Sequence, residues 1–406
     1  MVRLRGGHLV LADRVVRGGA LGIDGGRIVE AGADTGASPH DVDCAHSWVL
    51  PGFIDTHIHG VHGTDVLDDA EAVARVAAAL PRHGVTGFCP TTVACAPAAL
   101  DRFLGAVGIA AHTRAGSARV LGAHLESNFI NPDYRGAQPH ACLRLPPRPG
   151  ESGQPEGEFT GAAILETIAA HRAHVRIVTL APELDGGLEL VSALAAAGHR
   201  VSLGHSAASF EVGRAAIAAG AQHATHLFNR MPLLAHRAPG LAGAVLADDT
   251  VTCEVICDGY HVHPAMVRMA VRVKGTAGVV AITDATAGAG LPLGATARLG
   301  DQAIHVRERR AELADGTLAG SVITMDGVLR MLLDEAGLSV IEAARLCATT
   351  PARALSRPDL GALEVGRAAD VVVLDEHFRV RQTWVAGVLA WNSGAAGAVS
   401  PNGGLR

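Results

Sequence analysis

Trp48-Val49-Leu50-Pro51-Gly52-Phe53-Ile54-Asp55-Thr56-His57-Ile58-His59-Gly60 is an apolar run that ends in two histidines. Its first part, 48–54, reads as one buried strand. Residues i and i+2 of a strand point to the same side. His57 and His59, just past the strand end, are therefore placed to hold one divalent metal between two imidazoles. Glu126, His205, His226 and Asp284 also stand near the ends of short β-like runs, each followed closely by turn or polar residues. That pattern predicts a metal centre assembled from the strand ends of one barrel.

Working outward, the middle of the chain alternates strand and helix. Candidate strands end near His57/His59, Thr91-Thr92, Glu126, Thr179-Leu180-Ala181, His205, Thr225-His226, Cys257-Asp258 and Thr283-Asp284. Helical runs over 69–82, 161–172, 188–197, 211–219 and 264–272 lie between them. Eight strand ends predict an α/β fold, a metal-dependent (β/α)8 TIM barrel with its active site at the C-terminal ends of the strands. A doubly wound sheet is the alternative, but it would not bring ligands of the first and last strands together. Alternating runs at both termini (8–11, 14–16, 26–31, 369–375, 379–385 and 387–391) predict a small β-sandwich built from both chain ends. The expected division is 1–50 with 360–395 for the sandwich, 51–359 for the barrel and 396–406 for a flexible tail that begins to loosen at Asn392. The Pro- and Gly-rich stretch 131–160 follows the third strand and should lie over the site.

Composition narrows the class. The 406 residues are 49% hydrophobic and 18% charged with a net charge of -6, which suits a soluble enzyme and gives no basic tract for nucleic acid. No apolar run is long enough to span a membrane, and the start of the chain lacks an apolar leader. The expected setting is the cytoplasm. Lys274 is the single lysine; it reads as a charge at a helix C-terminus and not as a Schiff-base or bridging group. Seven scattered cysteines read as reduced thiols, Cys253 and Cys257 included. No G-x-S-x-G elbow, P-loop or dinucleotide fingerprint is present.

Water activation needs imidazoles, one or two carboxylates and an open position. His57, His59, Glu126, His205 and His226 are the candidate ligands. Asp284 is either a further ligand or the general base and acid. His62, His124, His223, His236 and His263 read as structural or surface histidines.

Residues 51–60 resemble the first-strand signature of the amidohydrolase superfamily. His226-Leu227-Phe228-Asn229-x-Met231-Pro232, Arg237-x-Pro239-Gly240-Leu241-Ala242-Gly243, Asp258-Gly259-x-His261-Val262-His263-Pro264 and Gly316-Thr317-Leu318-Ala319-Gly320-Ser321 together resemble the N-acetylglucosamine-6-phosphate deacetylases of that superfamily. So does the closing Gly361-x4-Gly366-Arg367-x-Ala369-Asp370-Val371. The resemblance implies removal of an N-acetyl group from a phosphorylated amino sugar, and Asp284 as catalytic acid/base. It implies one or two divalent metals per subunit, zinc first and iron, manganese or cobalt as alternatives. Glu126, His205 and His226 would carry the principal metal, with His57 and His59 available for a second. Asn229, Arg237 and His261 would meet the sugar phosphate, with Arg237 reaching into the partner's site of a homodimer. Ala137 and the loop of Leu318, Ala319, Gly320 and Ser321 would supply further substrate contacts. Three departures stand out. Ser127-Asn128 replaces Gly-Pro, Gln138 replaces a histidine, and Arg230 replaces a small residue; Arg230 is either a solvent-facing side chain or an added anion contact. The competing readings are an amidohydrolase of cyclic amides and a non-catalytic metal- or sugar-binding protein.

Overall fold

The computed structural model describes residues 1–36, 41–112, 115–147 and 157–394. Eight parallel strands hydrogen-bond in chain order. They are β1 (Phe53–Ile58), β2 (Val85–Thr92), β3 (Ala123–Glu126), β4 (Val175–Leu180), β5 (Arg200–Leu203), β6 (His223–Ala224), β7 (Thr252–Ile256) and β8 (Val279–Ile282). The sheet closes where β8 runs out against β1. Asp284 N donates to His57 O (3.0 Å), His59 N donates to Ala285 O (2.8 Å), and Thr283 Oγ1 donates to the Asp55 carboxylate (2.5 Å). The expected barrel is thus present, with its strand ends where the sequence placed them.

The strands are buried on both faces, as parallel barrel strands must be. Val178, Leu180, Val201, Leu203 and Val255 pack outward in the main core with Ile164, Leu190 and Val191 of the surrounding helices. Inside, one end is apolar: Ile54, Cys89 and Ile177 cluster with Ala352, Leu355 and Leu360. Nearer the C-terminal end the interior turns polar, and Thr179, Ser202 and Thr225 bond one another at 2.6–2.7 Å. Helices Ala72–Ala79, Gly161–Ala170, Gly187–Ala196, Phe210–Ala218 and Pro264–Lys274 occupy the predicted places. Pro97–Ala110, Gly240–Leu246 and Met325–Asp334 are further helices. Their Ala- and Gly-rich or short sequences carry a weak periodic signal. No helix among the described residues is long and apolar enough to cross a membrane.

Both chain ends meet in one eight-stranded sheet. Its order is Val388–Asn392, Val380–Val385, Val371–Leu374, Trp48–Pro51, Val2–Val10, Val15–Asp24, Arg27–Ala33, with Val42–Asp43 beside Val2–Val10. The outer hairpin folds back, Ile28 N donating to Arg367 O and Ala369 N to Gly26 O (both 2.9 Å). Leu4, Leu21, Ile28, Val49, Val371 and Trp384 form the core enclosed by this fold-back. Asn392 belongs to the last strand and so is not the start of a tail; 396–406 lies outside the described residues.

Two expectations need correction. The run 48–54 is not one strand. Trp48–Pro51 pairs in the terminal sheet, whereas β1 begins at Phe53 in the barrel. Gly52 is the joint, its N–H donating to Asp370 O (2.9 Å). Apolar continuity hid the break, because Val49, Leu50, Pro51 and the whole of β1 are buried. The stretch Leu318–Ser321 is not a loop but the last strand of a four-stranded antiparallel sheet inserted after β8, with Thr296–Leu299, Gln302–Arg307 and Arg310–Glu312.

A Cβ on Gly52 would lie 2.2 Å from Thr86 Cγ2 and 2.3 Å from Thr86 Oγ1. Gly52→Ala is expected to destabilise the protein by about 1–3 kcal/mol, the usual cost of overpacking. Thr86→Ala in the same chain should recover part of that loss. Urea unfolding of the three variants checks it; an unchanged midpoint for Gly52→Ala would show that the joint is slack.

Candidate metal centre and active site

The predicted ligands converge at the C-terminal end of the barrel. His57 is the last residue but one of β1, His59 follows its end, and Glu126 ends β3. His205, His226 and Asp284 each stand two residues beyond β5, β6 and β8. These three all have left-handed backbones, with φ of 48°, 30° and 49°. Such conformations cost a non-glycine residue about 1–3 kcal/mol and persist where the surroundings over-determine them. Here the chain turns sharply off the strand, and the side chain is left over the barrel mouth.

The imidazoles are oriented from outside. His57 Nδ1 donates to Glu254 Oε2 (3.1 Å), His59 Nδ1 to Thr91 O (3.1 Å) and His205 Nδ1 to Tyr134 O (2.8 Å). A ring with its proton on Nδ1 presents a bare Nε2 lone pair. Those lone pairs face inward. His57 and His59 Nε2 are 3.3 Å apart, and His205 and His226 Nε2 are 3.0 Å apart. Glu126 lies between the pairs. Its Oε1 is 2.8 Å from both His205 and His226 Nε2, and its Oε2 is 3.6 Å from His59 Nε2. Asp284 Oδ1 is 3.3 Å from His57 Nε2 and 3.2 Å from His59 Nε2.

Ring nitrogens this close must share a proton or a cation between them. The electrostatics ask for that charge. Burial disfavours a charged His57, yet the carboxylates of Asp284, Glu254 and Glu126 outweigh it and raise its pKa to about 10. Burial also works against ionised Glu126, but His205, His226 and His57 hold its pKa well below the usual carboxylate value. Asp284 is lowered likewise against its burial, by His57 and His59. Three groups have donor atoms within 4.8 Å of one another: Glu126/His205/His226, His57/His59/Glu126 and His57/His124/Glu254; the first two face the cleft, whereas His124 and Glu254 of the third are fully buried and do not line it. Imidazole and carboxylate donors of this kind fit a zinc-class divalent cation.

A cleft of about 480 Å³ opens over this cluster. It is lined by His59, Glu126, His205, His226 and Asp284, and by Ala137, Gln138, Asn229, Arg230, His261, Leu318 and Gly320 of the predicted contacts. Of the segment 131–160 after β3, Asp133, Tyr134, Gly136, Ala137 and Gln138 line the cleft; 148–156 lies outside the described residues. Gln138 donates to Glu126 and accepts from Ala94 N (2.7 Å). His261 is fixed by Asp258 (2.6 Å); burial opposes its charge but Asp258 raises its pKa overall. Arg230 has a left-handed backbone (φ 52°). Its Nε lies 2.7 Å from where a Cβ on Gly136 would stand, so the guanidinium is seated on that glycine. Ser127 and Asn128 do not line the cleft; they pin the covering segment, through Thr179 O (2.5 Å) and the carbonyls of Cys95 and Cys142 (2.8 and 2.7 Å).

Three predicted contacts do not reach the cleft. Ala319 and Ser321 alternate away from it along their strand, and Ser321 instead braces β8, its Oγ donating to Thr283 O (2.5 Å) and its N to Asp284 O (2.8 Å). Arg237 is exposed, on a segment where Leu233 is 89% exposed.

His124 is structural, as expected. Burial pushes its pKa down to about 3; its Nδ1 donates to Thr56 O (3.0 Å) and its Nε2 accepts from Thr179 Oγ1 (2.8 Å). Glu254 was not anticipated. A single carboxylate within Val251-Thr252-Cys253-Glu254-Val255-Ile256-Cys257, an otherwise apolar strand, was the available signal. If Glu126/His205/His226 is the tighter site, Glu126→Gln and His205→Ala will lower metal content more than His57→Ala. Elemental analysis of the purified variants checks this, and equal loss in all three would refute a dominant site.

Residues 48–390 match the amidohydrolase family. The N-acetylglucosamine-6-phosphate deacetylase of Rattus norvegicus is 37% identical over 407 residues, covering 97% of this chain and 95% of that protein. The N-acetylgalactosamine-6-phosphate deacetylase of Escherichia coli O157:H7 is 35% identical over 344 residues, covering 84% of this chain and 87% of that protein. Among solved structures, a mutant N-acetyl-D-glucosamine-6-phosphate deacetylase of Mycobacterium smegmatis in complex with N-acetyl-D-glucosamine-6-phosphate superposes with a TM-score of 0.86 at 33% identity. That match covers 96% of this chain and 99% of the other. By the barrel, the ligand set and these relationships, the chain belongs to the amidohydrolase family.

Proposed function

We propose that this protein is a metal-dependent amide hydrolase that removes the acetyl group of N-acetyl-D-glucosamine 6-phosphate, giving glucosamine 6-phosphate and acetate. The observation that carries the reading is the convergence of four imidazoles, Glu126 and Asp284 at the floor of one cleft. The names of the relatives supply the substrate class. One relative is named for the galactosamine epimer, which is the second reading to test. A cyclic-amide hydrolase and a non-catalytic binding protein are less well supported, since both the ligand set and a suitably ionised Asp284 are in place.

A divalent cation, zinc first, held by Glu126, His205 and His226 would polarise the amide carbonyl and acidify a water. The chain's own residues do the rest. Asp284, kept ionised by the imidazoles, takes a proton from the attacking water. It then delivers that proton to the amide nitrogen as the C–N bond breaks. Gln138 restrains Glu126 without titrating. Asn229, His261 and Arg230 offer donors along the wall for sugar hydroxyls and phosphate. Ala137, Leu318 and Gly320 shape the rest of it.

We further infer a homodimer in which Arg237 reaches the partner's cleft. Its exposure beside Leu233 and Leu234 (89% and 42% exposed) supports this. The seven free cysteines, six of them buried, suit a reducing compartment such as the cytoplasm.

The first test is acetate release from N-acetylhexosamines with and without a 6-phosphate; no release from any would remove the reading. Asp284→Asn should keep its metal and lose about 10²–10⁴-fold in kcat; near-normal kcat at normal metal content would exclude Asp284 as the base. Arg230→Ala and Arg237→Ala should each raise KM for the phosphorylated sugar far more than for the unphosphorylated one, because the fork contacts the phosphate and not the reacting amide. The Arg230 effect should shrink with salt, since exposed charges are screened within about 8–10 Å. Equal effects on both sugars would make these arginines structural.

A further inference from the structure

Glu254 lies in the middle of β7, fully buried, beneath the His57–His59 pair and away from the cleft. A carboxylate in such a place must be matched by donors or by positive charge. Thr56 Oγ1 donates to its Oε1 (2.8 Å), and His223 Nε2 lies 3.2 Å from the same oxygen. Its Oε2 takes the Nδ1 proton of His57 (3.1 Å). His59 and His205 are braced only by backbone carbonyls, and His226 Nδ1 has no partner among the described residues. His57 alone is backed by a full negative charge. That contact fixes the His57 tautomer, aims its Nε2 at His59 and strengthens it as a donor.

We propose that Glu254 is the positioning residue that readies His57 as a ligand, so that the His57–His59 pair takes a second divalent cation. The inference rests on reading the cluster as a metal centre.

The test is titration of the metal-free, full-length protein with Zn²⁺ against a competing chelator. Wild type is expected to take two equivalents, one tighter than the other. Glu254→Gln should weaken the second by about 10- to 100-fold, the usual cost of losing such a brace, and leave the first unchanged. His223→Gln, which removes a second imidazole beside Glu254 (His124, 3.9 Å away, is the third), should leave both unchanged. Equal weakening of both sites by either variant would mean a structural role and overturn the proposal. So would two undiminished sites in Glu254→Gln, or a single equivalent in wild type. A wild type that binds no Zn²⁺ would remove the metal-centre reading as well; normal binding in Glu254→Gln would remove only this inference. Because a buried substitution can impair folding, ¹⁵N-histidine NMR of the Zn²⁺-loaded wild type gives an independent readout. The His57 ring, assigned by its loss in His57→Gln, should carry its proton on Nδ1 and bind through Nε2. Binding through Nδ1 would overturn the proposal.

Discussion

The whole arrangement depends on the seam where the barrel closes. Asp55 and His57 on β1 meet Thr283 and Asp284 at the end of β8 through backbone and carboxylate hydrogen bonds. The same contacts that finish the sheet bring the first imidazole pair against Asp284. A barrel left open here would lose the site and the fold together, because no other strand carries both a ligand and the partner of Asp284. The inserted antiparallel sheet reinforces the seam from outside, through Ser321 on the carbonyls of Thr283 and Asp284.

Much of this could be read from the chain. Polar residues closing short apolar runs stand out, and His57, His59, Glu126, His205, His226 and Asp284 all did. Their convergence follows from a rule of the architecture, since every strand ends on the same face of the barrel. Other residues were invisible for physical reasons. Glu254 acts from the middle of a strand, and its partners come from β1 and β6, so no local pattern reports it. The break at Gly52 was hidden because burial on both sides gives one unbroken apolar run. The strand Leu318–Ser321 looked like a loop because Gly320, the nearby Gly316 and its short length mimic turn composition. Whether Arg237 meets the cleft was beyond any pattern, since it is exposed in the single chain.

The backbone around the cleft is unusual in a consistent way. His205, His226, Phe228, Arg230 and Asp284 all sit at positive φ. None is glycine, so each carries a local cost that the rest of the fold must sustain. The hydrogen bonds that do so come from neighbouring loops: Asn131 N donates to His205 O (2.9 Å) and Ser206 N to Arg230 O (3.1 Å). Rigidity at the mouth is therefore shared among loops from several strands, which suits a site whose donor atoms must stay in register.

The terminal sheet places a constraint on synthesis. Trp48–Pro51 pairs on one side with Val2–Val10 and on the other with Val371–Leu374. A ribosome must therefore make more than three hundred residues between the two halves of that pairing. Until it does, an apolar strand directly joined to β1 has an open edge, the kind of exposed template that invites misassociation. Once Asp284 has left the exit tunnel the barrel has all eight of its strands, but the terminal sheet stays half-built until Val371–Leu374 emerges to cover that edge.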